Sequence, residues 1–198
     1  PFSLAIANNS LALFSTTFAG SGFGARMMEL NLTSDAVSQR TDFWFGGTTT
    51  EATYVSPSAD RTKIAIVAGD ISSGPVFVYT RATNAFSPEK DLQAFVAYIA
   101  TDPTGSTVLV SPGTYVLDSA LNLSGTIPGG GVGVAVSPSA TVGYRVVSDS
   151  IEVLDLTTLL TTGSLSLGDT TGGAAFYNGI GRMAISADGR LLAVITDH

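Results

Sequence analysis

The chain contains no cysteine, which excludes disulfide bonds and thiolate metal ligands. It has a single histidine, His198, at the last position. A Ser–His–Asp triad would have to use that residue, and a chain terminus holds an imidazole poorly in register. Because the side chains that usually carry catalysis are so scarce, we predict no catalytic residue, no metal ligand and no cofactor site.

Positive charge and long apolar runs are also scarce. Nine Lys and Arg residues face sixteen Asp and Glu residues, for a net charge of -7. A polyanion would be repelled, so we expect no nucleic-acid partner. The apolar runs are far shorter than the roughly 20 residues of a membrane helix, so we expect no membrane insertion. The chain begins at Pro1, which we interpret as a processed or excerpted sequence.

What the chain does contain is a repeat: an apolar strand, a short turn and a second apolar strand. The repeat occurs five times, as SLAIANNSLALFS from Ser3, ATYVSPSADRTKIAIV from Ala52, AYIATDPTGSTVLV from Ala97, VAVSPSATVGYRVV from Val134 and MAISADGRLLAVI from Met183. The turns, anchored on Ala7, Ser56, Asp102, Ser137 and Ser186, recur at spacings of 49, 46, 35 and 49 residues. Periods of roughly 40 to 50 residues are typical of propeller blades built from four antiparallel strands.

The segments between the hairpins supply the other two strands of each unit. Third strands are predicted from Ala25, Pro75, Thr114 and Ser150, and fourth strands from Val37, Phe86, Leu123 and Gly163. The approximate blades are 2–46, 51–95, 96–131, 132–175 and an incomplete 176–198. No window keeps a helical period, so we expect almost no helix.

The last hairpin carries a family resemblance. SADGRLLAVITD, from Ser186, resembles the S-x-D-G-x-x-L-A-V hairpin of YVTN/WD40-like bacterial β-propellers, and VSPSADRTKIAIV and ATDPTGSTVLV are similar to it. The resemblance implies an all-β fold, a β-propeller-type array of four-stranded antiparallel blades. Because a full propeller of about six to eight blades needs more chain, we expect a partial propeller. Missing sequence or another chain would supply its remaining blades.

Two groups of side chains are candidates for specific roles. Phe43, Trp44, Phe45 and Tyr177 are candidate partner-binding aromatics, because exposed aromatics stack on sugars or anchor protein partners. The alternative is that Trp44 packs between neighbouring blades, and Tyr177 poses the same choice.

Aspartates are the second group. Asp60, Asp102 and Asp188 fall in hairpin turns, and Asp118 and Asp155 end third strands in matching places. Asp caps its own backbone in turns, so we interpret these residues as turn formers rather than metal ligands. The Gly-rich segment Gly129–Gly133 precedes a strand rather than a helix. A dinucleotide-binding loop precedes a helix, so we predict that this segment is a structural loop.

The resulting expectation is a non-catalytic binding or scaffolding module of a larger exported protein. We expect it to be secreted, periplasmic or on the cell surface, with a protein or carbohydrate partner. One alternative is a metal-dependent lactonase or hydrolase with acidic residues at the channel mouth. The other is a structural subunit of a surface layer or filament.

Overall fold

The chain folds almost entirely into antiparallel β-sheet. The structure, a computed structural model, describes residues 3–17, 23–169 and 182–196. These residues form twenty strands and one helix of four residues. His198 and Tyr177 lie outside the described residues.

The first two sheets contain five strands each. The first contains β1 (Ser3–Asn8), β2 (Leu11–Ser15), β3 (Phe23–Asn31), β4 (Val37–Gln39) and β5 (Thr48–Thr50). Its order is β1-β2-β3-β4, and β5 also pairs with β3. The second contains β6 (Thr53–Pro57), β7 (Lys63–Ala68), β8 (Pro75–Thr80), β9 (Ala85–Phe86) and β10 (Lys90–Asp91). Its order is β6-β7-β8-β10, with β9 pairing β8.

The next two sheets have four strands in sequence order. The third contains β11 (Tyr98–Thr101), β12 (Thr107–Ser111), β13 (Tyr115–Asp118) and β14 (Leu123–Thr126). The fourth contains β15 (Val134–Val136), β16 (Val142–Val147), β17 (Ser150–Asp155) and β18 (Leu160–Ser166). The last pair is the hairpin of β19 (Met183–Ile185) and β20 (Leu192–Val194).

The predicted third strands are confirmed as β3, β8, β13 and β17. The predicted fourth strand running from Val37 to Phe45 is wrong in extent, because β4 ends at Gln39. The chain then turns into the helix α1 (Trp44–Gly47), inside which Phe45 and Gly46 have left-handed backbone angles. Left-handed residues cannot continue a strand, and β5 then returns the chain to the first sheet.

The first strands of successive sheets are neighbours in space. β1 contacts β6, β6 contacts β11, β11 contacts β15, and β15 contacts β19. Each sheet therefore extends outward from an inner strand, as the blades of a propeller do.

Apolar side chains fill the spaces between sheets. One core joins the second, third and fourth sheets through residues such as Val67, Leu109 and Leu154. A second core joins the first two sheets and includes Leu13 and Met27. Gly143 permits a close approach, because a Cβ there would lie 3.1 Å from the Leu109 side chain in the third sheet.

The turns of the second and fifth hairpins share one pattern of hydrogen bonds. In the second sheet the Ser58 hydroxyl donates to Asp60 at 2.7 Å and accepts the Lys63 amide at 3.0 Å. In the fifth hairpin the Ser186 hydroxyl donates to Asp188 at 2.6 Å and accepts a backbone amide at 2.9 Å. The predicted turn roles of the two aspartates are confirmed.

The ends of β13 and β17, the third strands of their sheets, share a second pattern of hydrogen bonds. Asp118 accepts the amides of Ala120 and Asn122, both at 2.8 Å. Asp155 accepts the amide of Thr157 at 2.8 Å. These hydrogen bonds lower the pKa of both carboxyls, with Asn122 the main contributor at Asp118 and the Thr158 amide at Asp155. The predicted structural role is confirmed.

An arginine fastens the fourth sheet to the third. Arg145 of β16 is almost fully buried and forms an ion pair with Glu152 at 2.6 Å. Its Nη1 donates to Thr114 and to the Gly129 carbonyl, both at 3.0 Å, and its Nη2 donates to the Pro128 carbonyl at 2.8 Å. The Gly-rich segment is therefore a structural loop, as predicted.

Candidate functional site

Phe43 lies between the first two sheets. Only 2% of its surface is exposed, and its ring centroid lies 4.8 Å from those of Phe77 and Phe86 in the second sheet. Both contacts are edge-to-face, the arrangement that aromatic quadrupoles favour. The role of Phe43 is therefore packing between sheets, and its ring is covered.

Trp44 marks the boundary between this core and the surface. It is half-buried, and its indole Nε1 donates to the Glu89 carboxylate at 2.8 Å. Its ring contacts Phe77 on the core side, at 5.6 Å between centroids, and Phe23 and Phe45 on the other, at 5.2 and 4.7 Å. A rigid ring that is hydrogen-bonded at one edge is well suited to support neighbouring exposed rings.

Phe45 projects into solvent, with 68% of its surface exposed. Its backbone lies in the left-handed region at φ 46° and ψ 44°, which costs a side chain with a Cβ about 1 to 2 kcal/mol. Gln39 holds the turn by donating its Nε2 to the Gly46 carbonyl at 3.0 Å. Ten other non-glycine residues in the described part of the chain also have a positive φ, so the exposed ring rather than the backbone angle distinguishes Phe45.

Phe23, Trp44 and Phe45 together form a surface that we call the aromatic patch. Phe23 is 48% exposed, and its ring meets Phe45 edge-to-face at 5.7 Å. Gln39 and Glu89 flank the patch, so an apolar centre has a polar rim. An apolar centre with a polar rim is a common feature of protein interfaces. The structure thus brings Trp44 and Phe45 together and separates Phe43 from them.

A second candidate site is a cavity of about 330 Å³ between the inner strands. Residues of β6, β11, β15 and β19 line it, together with Ser3 of β1. Tyr54, Tyr98 and Arg182 are its largest polar side chains. The Arg182 guanidinium lies 4.5 Å from the Tyr54 ring centroid, and the two tyrosine rings are 5.1 Å apart. Burial raises the pKa of Tyr98 above its usual range.

The sequence prediction missed this cavity, although the repeat contains the signal. Tyr54, Tyr98 and Arg182 each lie four residues before the residue whose amide closes the hairpin turn, which is Ser58, Asp102 or Ser186. Anchoring the second repeat on Ser58 rather than on Ser56 would have grouped the three side chains.

Acidic side chains do not gather in the same way. Within the ranges 3–17, 23–169 and 182–196, no three acidic or histidine side chains lie close enough to hold a metal ion. Among those residues there is also no helix long and apolar enough to cross a membrane.

Several solved structures are similar to this chain. Hydrazine synthase from Kuenenia stuttgartiensis matches with a TM-score of 0.57 and 20% identity, over 72% of this chain and 41% of that one. A functionally unknown protein from Desulfotomaculum acetoxidans matches with a TM-score of 0.66 and 13% identity, over 98% of this chain and 62% of that one. A chain of the mitotic checkpoint complex matches with a TM-score of 0.56 and 14% identity, over 78% and 46%.

The present chain thus spans less than two thirds of each of these proteins. The identities are low enough that the likeness concerns the fold alone. The matched chains of hydrazine synthase and the mitotic checkpoint complex have propeller-type folds. The predicted all-β, β-propeller-type fold is therefore confirmed. No protein-family model matches the chain, and no curated protein gives a significant match.

Proposed function

We propose that this chain is a non-catalytic binding module of a larger exported or cell-surface protein, and that it binds a protein partner through the aromatic patch. Its hairpin turns support placing it with the YVTN-like bacterial propellers. The single histidine and the lack of cysteine support a role in recognition rather than catalysis.

The exposed ring of Phe45 is the observation that carries the proposal. Its φ of 46° costs stability, while its exposed fraction of 68% means that burial within the chain offsets little of that cost. Aromatic side chains at the centre of an interface supply a large share of binding energy. A partner that covers Phe45 would bury the apolar surface that the fold leaves exposed.

A protein partner fits the patch better than a carbohydrate. Sugars stack on a flat aromatic face, whereas Phe23 and Phe45 meet at 78° and form a ridge. A ridge of aromatic rings fits a pocket in a partner protein.

Photo-crosslinking at Phe45 tests the proposal. A photoreactive phenylalanine analogue at position 45, in cells that make the protein, should yield a discrete adduct with one protein. The same analogue at Leu191, which is 73% exposed in the fifth hairpin, is the matched control. Adducts shared by both positions, or saturable binding of a glycan that shifts Trp44 fluorescence, would contradict a protein partner at this patch.

A specific observation also favours a structural role in an assembly. All seven residues of β18 are exposed and uncharged, and within the described residues no strand pairs with its outer edge. The other outer strands are shorter: three residues in β4, two in β10 and four in β14. Long uncharged edges are the ones that pair with further strands. We therefore keep the surface layer or filament as the second candidate.

A further inference from the structure

The cavity between the inner strands has a layered lining. One layer is formed by the residues four positions before each hairpin turn, which are Tyr54, Tyr98, Gly133 and Arg182. Residues two apart on a strand share a face, so the layer beside it is formed by Ser56, Ala100, Ala135 and Ala184. Tyr54 and Tyr98 are buried, whereas Ala184 is exposed, so the large polar side chains lie at the inner end of a shaft of small ones.

The small side chains leave the shaft open. A larger residue at any of these positions would fill it, and Ala184 is exposed although it lies on an inner strand. The volume of about 330 Å³ is at the lower end for small-molecule pockets, so an occupant would be small, with its apolar part against the alanines of the shaft.

The Arg182 end of the cavity differs in charge from the rest of the molecule. Arg182 is the one side chain with a full charge among the described residues that line this cavity, whereas the chain as a whole carries a net charge of -7. The Arg182 guanidinium lies over the Tyr54 ring, 4.5 Å from its centroid. A guanidinium can bind a carboxylate through two parallel hydrogen bonds.

We propose that this cavity binds a small organic carboxylate, with the carboxylate at Arg182 and the apolar body in the shaft of small residues. The site is separate from the aromatic patch and does not depend on it.

Calorimetric titration with defined probes tests this site. The probes are acetate, isovalerate and benzoate, with benzamide as the neutral analogue of benzoate and inorganic phosphate as an anion without an apolar body. We expect benzoate or isovalerate to bind with a dissociation constant of about 1 mM or lower. We expect acetate, benzamide and phosphate to bind at least tenfold more weakly.

Three variants assign the binding to the cavity. Arg182→Gln should weaken carboxylate binding at least tenfold, and Ala184→Leu should abolish it by filling the shaft. Arg190→Gln, in the same hairpin with a side chain that is 86% exposed, removes the same charge and should leave binding unchanged. Thermal unfolding of each variant shows whether it is folded.

The proposal is overturned if none of the three carboxylates binds saturably, if benzamide or phosphate binds as well as benzoate, or if Arg182→Gln behaves like Arg190→Gln. Phe45→Asn should leave carboxylate binding intact. Failure at this cavity is therefore distinguishable from failure at the aromatic patch.

Discussion

Arg40, at the end of β4 in the first sheet, binds Asn84 in the second sheet through two hydrogen bonds. Its Nη1 donates to the Asn84 side-chain oxygen at 3.0 Å and its Nη2 donates to the Asn84 carbonyl at 2.9 Å. The guanidinium also lies 4.9 Å from the Phe86 ring centroid and forms ion pairs with Glu29 at 2.9 Å and Asp42 at 2.7 Å. Arg40 thus fastens the first two sheets, as Arg145 fastens the third and fourth.

We predict that Arg40→Gln lowers the free energy of unfolding by about 3 kcal/mol, because it removes a buried guanidinium and leaves Glu29 and Asp42 without their charged partner. Denaturant titration at neutral pH measures this change. Arg81→Gln, which removes an exposed arginine, is the control and should change stability by less than about 0.5 kcal/mol. Equal effects of the two substitutions would show that Arg40 does not fasten the sheets.

Gly189→Val should destabilise the fifth hairpin. Gly189 has a φ of +73°, and a Cβ there would lie 2.9 Å from the Pro138 side chain. A β-branched residue in this region costs about 2 kcal/mol. Hydrogen exchange of the β19 and β20 amides should therefore be faster in the variant.

Gly163→Val in β18 is the matched control for this substitution. A Cβ at Gly163 would have only ordinary contacts, the nearest at 3.9 Å, so the control should not lower stability. Unchanged exchange in Gly189→Val would show that the fifth hairpin does not need this turn.

Acid should weaken the fold through its turn carboxylates, and Asp102 is the most buried of them. Burial opposes its ionisation, but hydrogen bonds from Thr104 and Thr107 outweigh burial and lower the pKa of Asp102. Unfolded Asp titrates near about 3.9. A lowered folded pKa means that this stabilisation is complete above that value and is lost as the pH falls below it.

We therefore predict that Asp102→Asn lowers stability by about 1 to 2 kcal/mol at neutral pH and by less near pH 3 (an acidic condition below the unfolded pKa). Urea midpoints at the two pH values measure the difference. Asp35→Asn, on an exposed turn, removes the same charge as a control. The same loss at both pH values for Asp102→Asn would exclude the proposed acid sensitivity.

Association through β18 is testable by adding charge to the edge. Leu165 is 57% exposed on this strand, and Leu165→Lys should abolish any concentration-dependent assembly of the chain, because edge lysines oppose strand pairing. Sedimentation velocity over a range of concentrations measures this. Leu191→Lys adds the same charge in the fifth hairpin and should leave assembly unchanged; assembly that persists equally in both variants would contradict pairing at β18.

The repeat allowed much of the fold to be predicted, because each hairpin turn needs residues of defined chemistry. Asp60 and Asp188 were assigned to turns on that ground, and their hydrogen bonds confirm it. Arg40 and Arg145 could not be predicted. Each fastens its sheet to residues 44 or 31 positions away, and no local pattern encodes such contacts.

The aromatic residues show a second reason for the limit. In the strand predicted from Val37, Phe43 and Phe45 would share one face, because side chains two apart point the same way. The left-handed residues of α1 break that alternation. One ring is consequently 2% exposed and the other 68% exposed, and only the backbone geometry reveals which of them faces solvent.

The central claim is that the exposed ring of Phe45 binds a protein partner. Trp44 is the only tryptophan in the chain, so its fluorescence reports on the patch during titration with the partner captured at Phe45. Phe45→Asn places a residue that tolerates left-handed angles, and it should raise the free energy of unfolding by up to about 1 kcal/mol while weakening partner binding at least tenfold. A variant that binds the partner with unchanged affinity would contradict the account.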